Sequence, residues 1–197
     1  SEASILADVP DDHKAEAEAL LADLKAGIAD LRTDVDAGDK DTLWEKRGEL
    51  LDRVGEIEEL MVQGFPFEVP AAYSNLPQLK GRATVEMTTN KGTMTIVLDG
   101  YNAPVTAGNF ADLVQRGFYD ELEFTRAEEF YVVQAGDPPG KDDGFIDPKT
   151  KEYRAIPMEI MVEGDSEPIY GMTLEDAGIY LDKPVLPFAA YGTLALA

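Results

Sequence analysis

The chain has 197 residues, 44% of them hydrophobic, enough for one large domain or two small ones around a buried core. It carries 39 Asp and Glu against 17 Lys and Arg, a formal charge of -22. Such a surface repels phosphate backbones and anionic membranes, so the expected partners are proteins, not nucleic acid or lipid. There is no cysteine, which excludes disulfides, thiolate metal sites and cysteine nucleophiles.

The single histidine, His13, lies in an acidic helical segment with no second ligand or base nearby in the pattern, and reads as a surface residue. No apolar run approaches the ~20 residues that a membrane span requires. Ser1-Glu2-Ala3-Ser4 has neither the basic nor the apolar part of a signal peptide.

Ile5, Leu6 and Val9 precede Pro10 and fit either a helix tail or an extended lead. From Asp11 the period becomes helical, with Leu20, Leu24, Ile28, Leu31 and Val35 on one face. Asp11 or Asp12 can cap the start and Gly38 can end the helix in a left-handed conformation. After a turn at 38–41, Thr42 and Glu45 have capping-box spacing. Leu50, Val54, Ile57 and Met61 then mark a second apolar face, which Gly64 closes. Two long amphipathic helices joined by a short turn predict an antiparallel hairpin. Two stripes need a third surface, supplied by the rest of this chain or by a coiled-coil partner.

Pro66, Pro70 and Pro77 make residues 65–81 a stiff connector, with Phe65, Phe67 and Tyr73 placed to pin it to a surface. This gives a helical domain at 1–64, a Pro-rich linker at 65–81 and a second domain at 82–197. From Arg82 the period is two: Ala83–Thr88 and Thr93–Leu98 predict a hairpin around Asn90-Lys91-Gly92. Pro104-Val105-Thr106 then opens a short helix ending near Gly117.

The stretch Phe124–Asp137 sets one arginine, Arg126, among strand-forming residues, eight positions before Gln134 and shortly before a Gly136-Asp137 turn. Arg126 either faces a substrate groove or is a plain strand residue paired with Glu123, Glu128 or Glu129, a kind of ion pair that contributes little. Asp112, Asp120 and Asp137 lack the spacing of a calcium loop and read as turn or capping residues; no metal set and no cofactor is expected. Residues 138–187 hold several prolines and glycines and one apolar strand, Ile156 to Val162. A connection of that length either contacts a partner or is a decorated loop.

Ala103-Pro104-Val105-Thr106-Ala107-Gly108-Asn109-Phe110, running on to Gly117-Phe118-Tyr119-Asp120, resembles the opening helix of the cyclophilins. Phe124-Thr125-Arg126 and Gln134-Ala135-Gly136-Asp137 resemble that family's Phe-His-Arg and Gln-Gly-Gly-Asp segments, with the same Arg-to-Gln spacing. Gly192-Thr193-Leu194-Ala195-Leu196-Ala197 is similar to its Gly-x-Leu-Ser-Met-Ala run. The acidic helices, the Gly64–Pro70 segment, Leu98–Thr106, Gly144–Pro148 and Pro157–Val162 together resemble the multidomain cyclophilins of the thylakoid lumen, from Ala15 onward.

The resemblance implies an α+β protein: an N-terminal helical hairpin or bundle, docked intramolecularly on a partial cyclophilin-like antiparallel β-barrel. It also implies residence in the chloroplast thylakoid lumen and a part in assembly or maintenance of photosystem II, through binding of lumenal protein loops. Arg126 matches the family's catalytic arginine, and Tyr131, Val132 and Gln134 match the substrate-binding residues beside it. Thr125 stands where the family has histidine, Tyr131-Val132 where it has Phe-Met, and Ala135 where it has glycine. The Asn-Ala-Gly and Ser-Gln-Phe-Phe segments would lie past Ala197, so the expectation is a piece of a longer chain, with its proline pocket incomplete. The function expected is a non-catalytic assembly chaperone that binds lumenal loops; the alternatives are a peptidyl-prolyl isomerase using Arg126 and a helical interaction module to which the second domain adds nothing.

Overall fold

The computed structural model describes residues 2–37, 40–136, 138–139, 144–189 and 191–196. Gly38 and Asp39 of the expected turn, Asp137 and Ala197 lie outside the described residues. The chain forms two compact units, Ser1–Pro66 and Phe67–Ala197.

The first unit is helical: α1 spans Glu2–Asp8, α2 Lys14–Ala37 and α3 Lys40–Met61. Gly27 of α2 faces Leu50 of α3, and Asp34 pairs with Lys46. As one number rises the other falls, so the two helices run antiparallel, as the two stripes predict. A Cβ built on Gly27 would lie 2.4 Å from Leu50 Cδ2, so the helices meet closely where the side chain is missing. The seam on α2 therefore runs through Ala17, Leu21, Leu24, Gly27 and Leu31, with Ala17 and Leu21 buried. The predicted stripe departs from this seam at three positions: Leu21 rather than Leu20 is buried, and Ile28 and Val35 are 39% and 59% exposed. Small residues won that seam because they let α3 approach. On α3 the predicted face holds, with Ile57 buried and Leu50, Val54 and Met61 half-buried. Burial of Leu21 or Ile57 stabilises by roughly 1.5–3 kcal/mol each. Thr42 lies inside the first turn of α3 rather than before it, while Gly64, at φ +76, takes the left-handed conformation expected past the helix end.

The second unit begins with a 3-10 turn at Ala71–Tyr73, followed by the hairpin β1 (Arg82–Thr89) and β2 (Gly92–Asp99), α4 (Pro104–Gln115), β3 (Arg126–Glu128), β4 (Val132–Gln134), β5 (Glu159–Ile160) and β6 (Ile169–Tyr170). β1 and β2 pair from Arg82↔Asp99 to Thr89↔Gly92, extending the predicted strands by about one residue at each end. One face of this hairpin packs on α4: Leu98, Ala107 and Phe110 are buried together, with Ala83, Val85, Ile96, Val114 and Tyr119 against them.

Residues 77–81 lie directly on this core. Leu79 N–H donates to Pro104 O at 2.9 Å, and Gly100 N–H donates to Gly81 O at 2.9 Å. A Cβ on Gly108 would come within 2.5 Å of Gln78 Cα, so the helix can carry only glycine where the chain crosses it. α4 stops as predicted: Gly117 has φ +67, its N–H donates to Val114 O, and Phe118 N–H donates to Leu113 O. That is the paired bonding of a Schellman cap.

The structure is α+β, with strands in three two-stranded antiparallel sheets, β1–β2, β3–β4 and β5–β6. Among the described residues no strand has two partners, so no closed barrel is present. β3 to β6 are two or three residues long, too short to link one hairpin to the next. The strand expected over Ile156–Val162 is likewise reduced to Glu159–Ile160. Pro157 has no N–H to donate, and Val162 bridges to Pro184 instead.

Candidate active site on the Arg126 hairpin

β3 and β4 pair as Arg126↔Gln134, Ala127↔Val133 and Glu128↔Val132. Residues directly opposite in an antiparallel pair share a face, and faces alternate along each strand. One face therefore carries Arg126, Glu128, Val132 and Gln134; the other carries Ala127 and Val133. The loop brings in the fourth expected site residue, since the Arg126 guanidinium carbon sits 5.5 Å over the Tyr131 ring. Arg126, Tyr131, Val132 and Gln134 are thus assembled on one side of one hairpin.

The same side holds Glu128, which the sequence offers merely as one of three carboxylates within reach. Arg126 Nε donates to Glu128 Oε1 at 2.7 Å, and Nη2 lies 2.6 Å from the same oxygen. Both side chains are about half exposed, at 48% and 52%. Phe130 forms the hairpin tip at φ +59, fully exposed, and Tyr131 is 75% exposed. A non-glycine residue in the left-handed region is uncommon, and a bulky one there is strained.

Thr125 N–H donates to Gln134 O at 2.9 Å, closing the open end of the hairpin, and one feature ties it to the core. A Cβ on Gly136, where φ is +113, would touch Tyr119 Cε1 at 3.5 Å, so the outgoing chain passes the Tyr119 ring, which itself packs on Phe110 at 5.0 Å between centroids.

Further residues that position this unit are invisible to local patterns. α4 has no side-chain cap of its own at Ala103. Glu159, more than fifty residues later, supplies one: its Oε1 accepts from Val105 N–H at 3.0 Å and its Oε2 from Thr106 N–H at 2.8 Å. A carboxylate there also meets the positive end of the helix dipole. Beside it on β6, burial first and the Glu159 charge second push the Tyr170 hydroxyl far above its ordinary range.

At the other end of α4, Asp112 accepts from Arg116 Nε at 2.7 Å and from Arg154 Nη1 at 2.6 Å. Arg154 lies 4.5 Å over the Phe145 ring, with its side chain 10% exposed. Burial pushes the Asp112 carboxyl up, but the two arginines outweigh it and hold the group below the usual carboxylate range. Asp112 is therefore an ion-pair anchor for the 144–187 connection. A groove of about 430 Å³ lined by Tyr73, Ile156, Met158 and Met172 is formed by this connection and contains none of the Arg126 residues. Tyr73 stacks on Tyr170 at 5.8 Å.

The chain belongs to the cyclophilin-type peptidyl-prolyl cis-trans isomerase family, whose model matches residues 84–197. Residues 1–62 match a second model, described as the peptidyl-prolyl cis-trans isomerase CYP38-like, PsbQ-like domain. Together the two matches bear out the resemblance to the multidomain cyclophilins of the thylakoid lumen.

The chain is 61% identical, over all of its length and 52% of the relative's, to a Synechocystis sp. protein named, provisionally, as a thylakoid lumen peptidyl-prolyl cis-trans isomerase. It is 48% identical to the chloroplastic peptidyl-prolyl cis-trans isomerase CYP38 of Arabidopsis thaliana, over 98% of this chain and 46% of that protein. To chloroplastic CYP37 of the same plant it is 34% identical, over 98% and 43%. These names give the thylakoid lumen and the chloroplast, the location the sequence resemblance implies. The chain spans about half the length of the curated relatives it matches.

Proposed function

We propose that this protein is a cyclophilin-type binding factor of the thylakoid lumen. It would recognise proline-containing lumenal loops of photosystem II subunits during assembly or maintenance, with the Arg126 face as the binding surface. The X-Pro bond is a tertiary amide whose rotation crosses a barrier of ~18–20 kcal/mol set by resonance. Acting on it takes no nucleophile. It takes a wall for the proline ring and a donor aimed at the carbonyl or at the prolyl nitrogen.

The observation that carries the reading is the hairpin register, which sets Arg126, Val132 and Gln134 on one face with the Tyr131 ring against the guanidinium. In this role Arg126 donates to the carbonyl before proline, Tyr131 and Val132 flank the ring, and the Gln134 amide bonds the peptide backbone. Binding is favoured over turnover because the face is open to water, with Arg126 and Glu128 both about half exposed. A donor accelerates bond rotation most in a water-excluded site, where its field is little screened. The three hairpins are read here as parts of a cyclophilin-like antiparallel β-barrel.

Family membership supports a second reading, an active peptidyl-prolyl isomerase using Arg126. The two separate in one experiment on the full-length protein with a proline peptide. The binding reading expects Arg126→Ala to weaken peptide affinity about tenfold or more, the loss of a charge-assisted hydrogen bond, with little acceleration of isomerisation in the unmodified protein. Fast turnover abolished by Arg126→Ala would establish the isomerase instead.

A further inference from the structure

We infer that the Arg126 face selects proline segments that carry a lysine or arginine next to the proline, and that Glu128 is the residue that sets this preference. The inference rests on the proposed reading of the face as a proline-binding surface. Two independent observations carry it.

The first is charge. Between Gly117 and Gly136 there are five carboxylates, Asp120, Glu121, Glu123, Glu128 and Glu129, and one cation, Arg126. All five are exposed. Around a site whose arginine is already paired, the remaining field is negative. It attracts a basic segment and repels an acidic one, and the chain's net charge of -22 acts in the same direction.

The second is the hydrogen-bond arrangement. Nε and Nη2 of Arg126, the two donors along one edge of its guanidinium, both point at a single oxygen of Glu128. While that contact holds, this edge of the guanidinium is closed to a prolyl carbonyl. A cation arriving on the peptide gives Glu128 a second partner, so the carboxylate can pass from Arg126 to the peptide and release both donors. An uncharged or acidic peptide would have to break the same pair with no replacement. The exposed Tyr131 ring lies beside this exchange, against the Arg126 guanidinium, and can take the aliphatic stem of a lysine.

Exposed ion pairs contribute little individually, so the preference is expected to be about three- to tenfold between a basic and an acidic neighbour. The test uses the full-length protein and three labelled peptides that differ at the residue before proline, which is lysine, glutamine or glutamate. Fluorescence anisotropy at low salt should rank them Lys, Gln, Glu in falling affinity. Glu128→Gln should collapse the Lys-to-Glu ratio by at least half. Glu152→Gln changes the net charge equally at an exposed position outside the hairpin and should leave the ratio in place.

Equal affinities for the lysine and glutamate peptides would overturn the inference while leaving the proline-binding face intact. So would a ratio that survives Glu128→Gln, or one that Glu152→Gln lowers as much. Failure of all three peptides to bind the unmodified protein would overturn the face itself, and this inference with it.

Discussion

Glu159 shows how much one side chain can hold in this protein. Its two oxygens take the first free N–H groups of α4, at Val105 and Thr106, where the chain provides no local cap. Glu159→Ala should therefore cost about 1–2 kcal/mol of unfolding free energy, the range for a lost N-cap. Urea denaturation would show this, and an unchanged midpoint would mean the cap is idle. Asp112 makes a pH-dependent contribution. Its carboxyl is held below the ordinary value of 3.8, and Asp147 is likewise lowered, by the backbone N–H groups of Lys149 and Thr150. Both stay ionised in the folded state where the unfolded chain has begun to take up protons. Their stabilisation is complete above the unfolded value and fades as pH falls through the folded one. The stability gap between the unmodified protein and Asp112→Asn should thus be widest near neutral pH and shrink toward about pH 3. A gap that stays constant would contradict the ion-pair assignment.

At the scale of elements, close approach decides which glycines matter. Gly108 of α4 faces backbone atoms of Pro77 and Gln78 at 2.6 and 2.5 Å from a built Cβ, and backbone cannot rotate away. Gly48 of α3 has nothing within 4 Å. Gly108→Ala should destabilise by about 1–3 kcal/mol or more, whereas Gly48→Ala should stabilise by about 0.5–1 kcal/mol through helix propensity. Thermal melts of the two variants shifting in the same direction would refute this packing. The same contrast explains what was legible beforehand. The β1–β2 hairpin, α4 and its Gly117 stop follow from alternation, periodicity and turn residues, all local signals. The α2 seam shifted because Ala17 and Gly27 were chosen for closeness, which a count of large apolar residues does not register. The Ile156–Val162 strand shrank because its pairing depends on Ile169, Tyr170 and Pro184, far along the chain. Arg126, Tyr131, Val132 and Gln134 could be named from the family resemblance, but Glu128 gained its place among them only through the register.

On the scale of the molecule, two units share one acidic chain, and each matches its own family model. The helical unit is held by a seam of small and branched residues, and the cyclophilin-type unit by α4, its hairpin and the long connection pinned at Asp112 and Glu159. Among the described residues no helix is long and apolar enough to cross a membrane. The central claim is that the Arg126 face is where a proline-containing segment binds. The most direct measurement is an amide chemical-shift map of the isotope-labelled full-length protein titrated with a lysine-proline peptide. The account predicts that the largest shifts fall on Thr125–Gln134 and disappear in Arg126→Ala. Saturable shifts confined to other residues, such as the groove beside Tyr73 and Met158, would contradict it.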